Sequence, residues 1–311
     1  MSDARDKVKL FTLLGNHAGT AALKRGDISS PLVEFDYADV KVPNTQFKPM
    51  VREGKYDCGE LAIVTFLQAR IYGKPYVMLP AAILGRGQHH TIFYNSARGK
   101  LGPRDLPGKR VGVRAYTQTT GAWVRGFLAE DYGVKTEAVR WITFEDAHLA
   151  EYRDPEFVTR APAGKEVAQM LLDGELDAAI LGDKSPDPLL VPLISDAPEA
   201  AREWAQSHGA VPVNHFMVIK QAISRDRPDV VKEVYRLLHE SRDTLPPGHD
   251  CDAVPFGFEA NRKGLEIIID YALKQQLIPR RLAVEELFDD VTRALYTQPF
   301  TLTSSKPVHA E

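Results

Sequence analysis

Residues Lys109–Val134 read KRVGVRAYTQTTGAWVRGFLAEDYGV. A short β-type run, Arg110 to Val113, is followed by a turn, Arg114 to Gln118. The helix that comes next has Trp123, Val124, Phe127 and Leu128 on one face. Thr119 or Thr120 is expected as its N-cap. Strand, turn and helix start in this order bring unpaired backbone N–H groups and the positive end of the helix dipole to one spot. A carboxylate or phosphate fits such a cradle. Threonines that only cap a helix are the plainer alternative.

The same alternation extends outward in both directions. Upstream, Lys7–Leu14, Val33–Ala38, Tyr76–Ala82 and Thr91–Asn95 read as strands, with helical segments at Gln46–Gly54 and Glu60–Ile71. Downstream, Ala138–Ile142, Leu176–Leu181 and His215–Lys220 read as strands. Helices are expected at Gly164–Asp173, Ala197–His208, Pro228–Asp243, Glu259–Gln276 and Val284–Leu295. Strand and helix alternating throughout predict an α/β protein with parallel sheets. Arg153–Gly164 and the proline-rich Leu245–Phe256 are the expected long loops.

At 311 residues two lobes are expected. Net charge is −3 with both signs interspersed, which leaves no basic field for nucleic acid or an anionic membrane. No stretch approaches the ~18 consecutive apolar residues of a membrane span. The opening MSDARDKVKLFTLLGNH lacks a long apolar core followed by a small-residue cleavage site, so a cytoplasmic protein is expected. Cys58 and Cys251 have no metal-type spacing and read as reduced structural thiols. No dinucleotide fingerprint, P-loop or HExxH motif occurs, so neither a cofactor nor a metal is expected. Convergence of His89, His90, Glu60 and His215 would be a minority route to a divalent metal site.

The runs DLPGKRVGVRAYTQTTGAWVRGFLAEDYGV, YDCGELAIVTFLQAR, GRGQHHTIFYN, LLDGELDAAILGDKSPD and NHFMVIK together resemble the 4,5-dihydroxyphthalate decarboxylase family. The likeness runs in order from about Lys7 to Phe288. It implies a two-lobed periplasmic-binding-protein-like (type II) α/β fold with a central ligand cleft. Residues 1–95 with 217–311 would form one lobe and 96–216 the other, with crossovers near 93–96 and 212–218. It also implies loss of CO₂ from a hydroxylated aromatic carboxylate. Non-catalytic capture of a small anion on the same fold is the alternative.

An aryl anion is too unstable to form directly, so the chemistry asks for an acid at the ring carbon, a clamp for the carboxylate that stays and a dry place for the one that leaves. His90 is the first candidate for the acid, with Arg86 in the same loop as a two-pronged clamp. His215 is expected to line the cleft from the second crossover, and Glu60 to orient His90 or accept from a phenol. Tyr116, Thr119 and Thr120 would hold a second carboxylate at the helix start, with Arg125 reaching back to it. Asn16 and His17 follow the first strand, where open α/β sheets place ligand contacts, and would tune substrate choice. Each has a structural alternative: a helix-dipole carboxylate for Glu60, a surface ion pair for Arg86 or Arg125, a core histidine for His215. The expected partner is a small aromatic carboxylate. Self-association is a prior of soluble enzymes rather than a reading of these residues.

Overall fold

From Tyr76 to Ile83 every residue is buried, and alternate side chains leave on opposite faces. Val77, Leu79, Ala81 and Ile83 enter one apolar cluster, Met78 and Ala82 another. A strand dry on both faces needs helices on both sides of its sheet. The computed structural model, which describes residues 7–246 and 254–295, has two helix-flanked sheets. Met1–Asp6, Cys251 and most of the proline-rich stretch lie outside the described residues.

The first sheet takes β1 (Val8–Leu13), β2 (Val33–Tyr37), β3 (Cys58–Ala62) and β4 (Tyr76–Gly85). The second takes β5 (Ile92–Asn95), β6 (Arg110–Val113), β7 (Arg140–Thr143), β8 (Val158–Arg160), β9 (Ala178–Ile180) and β10 (Leu190–Pro192). The chain then returns to the first sheet as β11 (Val213–Lys220). Spatial orders are β2-β1-β3-β11-β4 and β10-β5-β9-β6-β7-β8. β1 runs parallel to β2 and β3, while β11 is antiparallel to β3 and β4. β1 to β4 therefore end along one edge, and β11 begins there.

The helices are α1 (Ala21–Arg25), α2 (Phe47–Glu53), α3 (Ile63–Ile71), α4 (Thr119–Tyr132), α5 (Val167–Asp173), α6 (Ala197–His208), α7 (Gln221–Asp226), α8 (Pro228–Asp243), α9 (Phe258–Lys274) and α10 (Asp290–Arg293). Val230, Val231, Val234 and Leu238 of α8 share a cluster with Val77 and Leu79 of β4 and Met217 and Ile219 of β11. Burying each such side chain contributes about 1.5–3 kcal/mol. The opposite face joins a larger core with α3, α4 and α9.

The structure corrects several expectations. Glu60 lies in a strand, not in the first turn of a helix: Cys58–Ala62 is fully buried between β1 and β11, and the helix starts only at Ile63. Gln118, not a threonine, is the N-cap of α4, and it makes no side-chain capping bond. Val284–Leu295 is a short 3₁₀ turn followed by α10, separated where Asp289 accepts from the Thr292 N–H at 2.8 Å. Ile92–Asn95 pairs with β9 and β10, so the chain changes sheet between Gly85 and Ile92 and again between Pro192 and Val213. The loop Arg153–Gly164 holds the short edge strand β8.

Candidate active site

At the shared edge of the first sheet three side chains meet. Glu60 projects from β3, His215 from the start of β11, and His17 follows β1 after the turn Gly15–Asn16. The Glu60 side chain has no exposed surface. His17 Nε2 lies 3.0 Å from both its oxygens, and His215 Nδ1 lies 2.7 Å from Oε2. The Gly15 N–H also donates to Oε1. An ionised carboxylate only accepts, so the shared protons belong to Nε2 of His17 and Nδ1 of His215.

Burial by itself raises the Glu60 carboxyl, but hydrogen bonds from both histidines, and their charge, outweigh it and hold the group well below the usual carboxylate range. An unpaired carboxylate at this depth would be strongly unfavourable. Gly15 permits the approach. A Cβ there would lie 2.7 Å from Glu60 Oε1 and 2.8 Å from His17 Nε2.

His17 also faces a cavity of about 250 Å³ at the end of β4. Ile83, Leu238 and Phe256 give it apolar walls, and Arg86 and Arg242 give it two guanidinium groups. Arg86 Nη2 pairs with Asp183 at 2.5 Å, while its buried Nε has no partner among the described residues. The Arg242 guanidinium lies 4.5 Å from the Phe256 ring centroid.

His17, Glu60 and His215 also form a group able to hold a metal ion, with one ligand atom from each lying within 4.8 Å of the others. This is a two-histidine, one-carboxylate donor set. Cys58 next along β3 is no nucleophile: burial pushes its thiol up to about 12, although Thr12 Oγ1 at 3.3 Å opposes the shift.

No family model matches the chain. Among curated proteins, 4,5-dihydroxyphthalate decarboxylase of Comamonas testosteroni is 29% identical over 236 residues, 71% of each chain. The protein of that name from Pseudomonas putida is 30% identical over 213 residues, covering 64% of this chain and 82% of its own length. The chain belongs to the 4,5-dihydroxyphthalate decarboxylase family. Solved structures with the same fold include the alkanesulfonate-binding protein of Xanthomonas axonopodis pv. citri, bound to MOPS, with TM-score 0.55, 15% identity, and 92% and 99% of the two chains covered. The periplasmic aliphatic sulphonate-binding protein of Escherichia coli gives TM-score 0.56 and 12% identity over 98% and 99%. The decarboxylase-family chain thus has the two-lobed fold of periplasmic binding proteins.

Within this family member the residues expected from sequence separate into two groups. His17, Glu60 and His215 come together, and Arg86 shares the cavity with His17. Asn16 is exposed beside His17 and Lys24 in a neighbouring surface hollow. The others do not line that cavity, although His90 meets its rim through Asp183 Oδ1, which Arg86 also holds. His90 bonds Asp183 at 3.2 Å and makes no bond to Glu60; its neighbour His89 is buried and stacked 4.1 Å from Phe127.

Tyr116, Thr119, Thr120 and Arg125 are buried and bonded within the protein. Tyr116 Oη donates to the Gln275 carbonyl at 3.0 Å. Arg125 does reach back, but to the Tyr116 carbonyl at 2.7 Å, with Gln275 Oε1 at the same distance and its guanidinium over the Tyr116 ring. Thr119 Oγ1 accepts from the Val64 N–H at 3.3 Å, and Thr120 Oγ1 from Asn214 Nδ2 at 3.2 Å. Asn214 in turn bonds Gln88, so a buried polar chain ties both crossovers to the start of α4.

Sequence reading missed His148, Asp183 and Arg242. His148, between β7 and β8, places Nδ1 2.7 Å from Thr65 Oγ1, and Arg52 donates to the His148 and Ala147 carbonyls at 2.7 and 2.9 Å. Phe47 stands edge-on to both His148 and His215. Burial, with Arg114, Lys48 and Arg52 adding, pushes His148 down to about 3, so it stays neutral. An arginine in the last turn of α8 reads in sequence as a complement to the helix dipole, which hid Arg242.

Proposed function

We propose that this chain is a decarboxylase for a hydroxylated aromatic carboxylate of the 4,5-dihydroxyphthalate type, working in the cavity beside His17 through its own side chains. The observation that carries this reading is the ionised, fully buried Glu60 shared by two histidines, one of which lines the cavity. A capture site has no need of such a group; a proton-transfer site does.

In the proposed reaction the substrate ring lies against Phe256 and Leu238. A ring hydroxyl para to the departing carboxylate pushes electron density to the carbon that bears it, and the His17 imidazolium transfers a proton to that carbon. The C–C bond to the carboxylate then breaks, its electron pair restores the aromatic ring, and CO₂ departs. His17 regains its proton from solvent. Glu60 balances the imidazolium charge through Nε2, and His215 holds the second carboxylate oxygen in place. Arg86 clamps a carboxylate, with its unpartnered Nε available to donate. Burial among apolar walls favours loss of the carboxylate that is not clamped.

Two other readings have an observation behind them. Binding without turnover is favoured by the shared fold with sulfonate-binding proteins. A divalent metal at His17, Glu60 and His215 is favoured by the closeness of their ligand atoms. CO₂ release by the purified protein from 4,5-dihydroxyphthalate and a panel of hydroxylated benzoates, with calorimetry in parallel, tests the first against capture. Turnover supports the decarboxylase; tight binding without CO₂ overturns it.

A further inference from the structure

An acid of the second sheet reaches the rim of the cavity. Asp183 lies just beyond β9, and its Oδ1 meets Arg86 Nη2 at 2.5 Å and His90 Nε2 at 3.2 Å. Arg86 is fixed by its backbone, since its N–H donates to the Pro212 carbonyl at 3.0 Å. Gly182, Asp183 and Lys184 make no backbone hydrogen bond among the described residues. The flanks of this short strap are held, by the Leu181 N–H on the Thr91 carbonyl at 3.0 Å and by Ser185 Oγ on the Asp187 carbonyl at 2.6 Å. Gly182 has a φ of +98°, a left-handed conformation that favours glycine. Among the described residues, the strap is tied to the rim through the Asp183 carboxylate.

The same guanidinium is the clamp of the proposed reaction, and its buried Nε has no partner among the described residues. A two-pronged carboxylate takes Nε together with Nη2. At Nη2 it would meet Asp183, and two carboxylates on one nitrogen repel each other. Magnitudes decide which stays. A half-exposed pair such as Arg86 with Asp183 is worth no more than about fivefold in an equilibrium, and a charge-assisted bond made inside the cavity roughly tenfold to a hundredfold. An aromatic acid that also covers the apolar walls displaces Asp183, whereas a small anion with nothing to bury gains little.

We propose that Asp183 is an autoinhibitory carboxylate, which holds the Arg86 clamp until the carboxylate of an aromatic acid replaces it and thereby frees the strap at 182–184. The proposal rests on the decarboxylase reading for Arg86 as the clamp, and the ties of the strap carry the rest. His90, bonded to the same oxygen, belongs to the mooring of the strap and not to the chemistry.

The test is calorimetric binding of 4,5-dihydroxyphthalate and of benzoate to the wild-type chain, Asp183→Asn, Arg86→Gln and the double variant. CO₂ release is recorded separately, and thermal melts show that each variant is folded. Asp183→Asn is expected to bind both acids about two- to fivefold more tightly. In the Arg86→Gln background the same substitution should change affinity by less than about 1.5-fold, which separates loss of a competitor from a general gain in positive charge. Amide hydrogen exchange at residues 182–184 should quicken when 4,5-dihydroxyphthalate binds the wild-type chain, and in Arg86→Gln without any ligand. Weaker or unchanged binding by Asp183→Asn, an equal gain in the Arg86→Gln background, or binding of neither acid overturns the proposal. Tighter binding without CO₂ release leaves Asp183 in its role and sinks only the decarboxylase reading; CO₂ release with unchanged affinity does the reverse.

Discussion

His17 Nε2 sits 3.0 Å from each oxygen of the Glu60 carboxylate, bisecting a group that is itself fully buried. The two residues are 43 positions apart and meet because β1 and β3 are parallel neighbours. This contact gives the cavity a histidine with a fixed ring and a fixed tautomer. Nδ1 is left as the atom that can exchange a proton.

His17→Gln should therefore lower CO₂ release by roughly 10²–10⁴-fold, the range of a lost general acid, with diacid affinity held within about tenfold. His90→Ala, whose partner is the exposed Asp183, should change turnover by less than about threefold. Steady-state kinetics on both variants decides between the two histidines. A dead His90 variant beside an active His17 variant would reverse the assignment.

Gly15→Ala puts a methyl group where Glu60 Oε1 and His17 Nε2 already stand. Either the carboxylate or the imidazole must move, and neither has space without losing hydrogen bonds. Destabilisation of about 1–3 kcal/mol is expected from the stranded polar groups, measured by urea unfolding, together with a loss of turnover. Wild-type stability and rate in this variant would show that the cluster is looser than its distances indicate.

Burial, reinforced by the neighbouring His90, lowers His89 from 6.5 to about 4. The unfolded chain takes up that proton near pH 6.5 and the folded chain only near 4, so stability present above 6.5 is lost as pH falls through this window. The loss approaches ~3 kcal/mol at its foot. Neither ring nitrogen has a partner among the described residues, and the ring stacks on Phe127. His89→Phe should keep the stack and remove this part of the acid sensitivity, read as a smaller drop in melting temperature between pH 7 and pH 5. An unchanged drop would place the acid sensitivity elsewhere.

Extensive dialysis against a strong chelator distinguishes the proton-transfer and metal readings of the His17–Glu60–His215 group. Turnover that survives with less than stoichiometric metal by elemental analysis is expected. Activity lost on chelation and restored by one divalent ion per chain would assign the group to metal binding.

Much of the fold was legible because strand and helix periods differ. Pro228–Asp243 was bounded to the residue, since a proline at the start and an unbroken apolar stripe mark a helix at both ends. Glu60 was misplaced into a helix because CGELA, buried on every side, lacks the alternation that betrays a strand. Glu60, His215, His17 and Arg86 are each legible singly, yet the sequence offers His90 or a substrate phenol as the partner of Glu60, and the structure gives it His17 and His215. Chain order put His90 thirty residues away and His215 much further, whereas β11 inserts between β3 and β4 and reverses that ranking. The cradle at α4 was read from local sequence alone. Two facts about distant segments filled it: Val64 and Asn214 bond its threonines, and Gln275 takes Arg125.

His17, Glu60 and His215 all hang from the first sheet or the turn that leaves it, and the second sheet supplies none of them. In the reaction proposed above, the proton-transfer group is then complete within the first sheet, before the second contributes a side chain. The rate of the chemical step should then be indifferent to solvent viscosity, and the second sheet is free to diverge except beyond β9, where Asp183 holds Arg86.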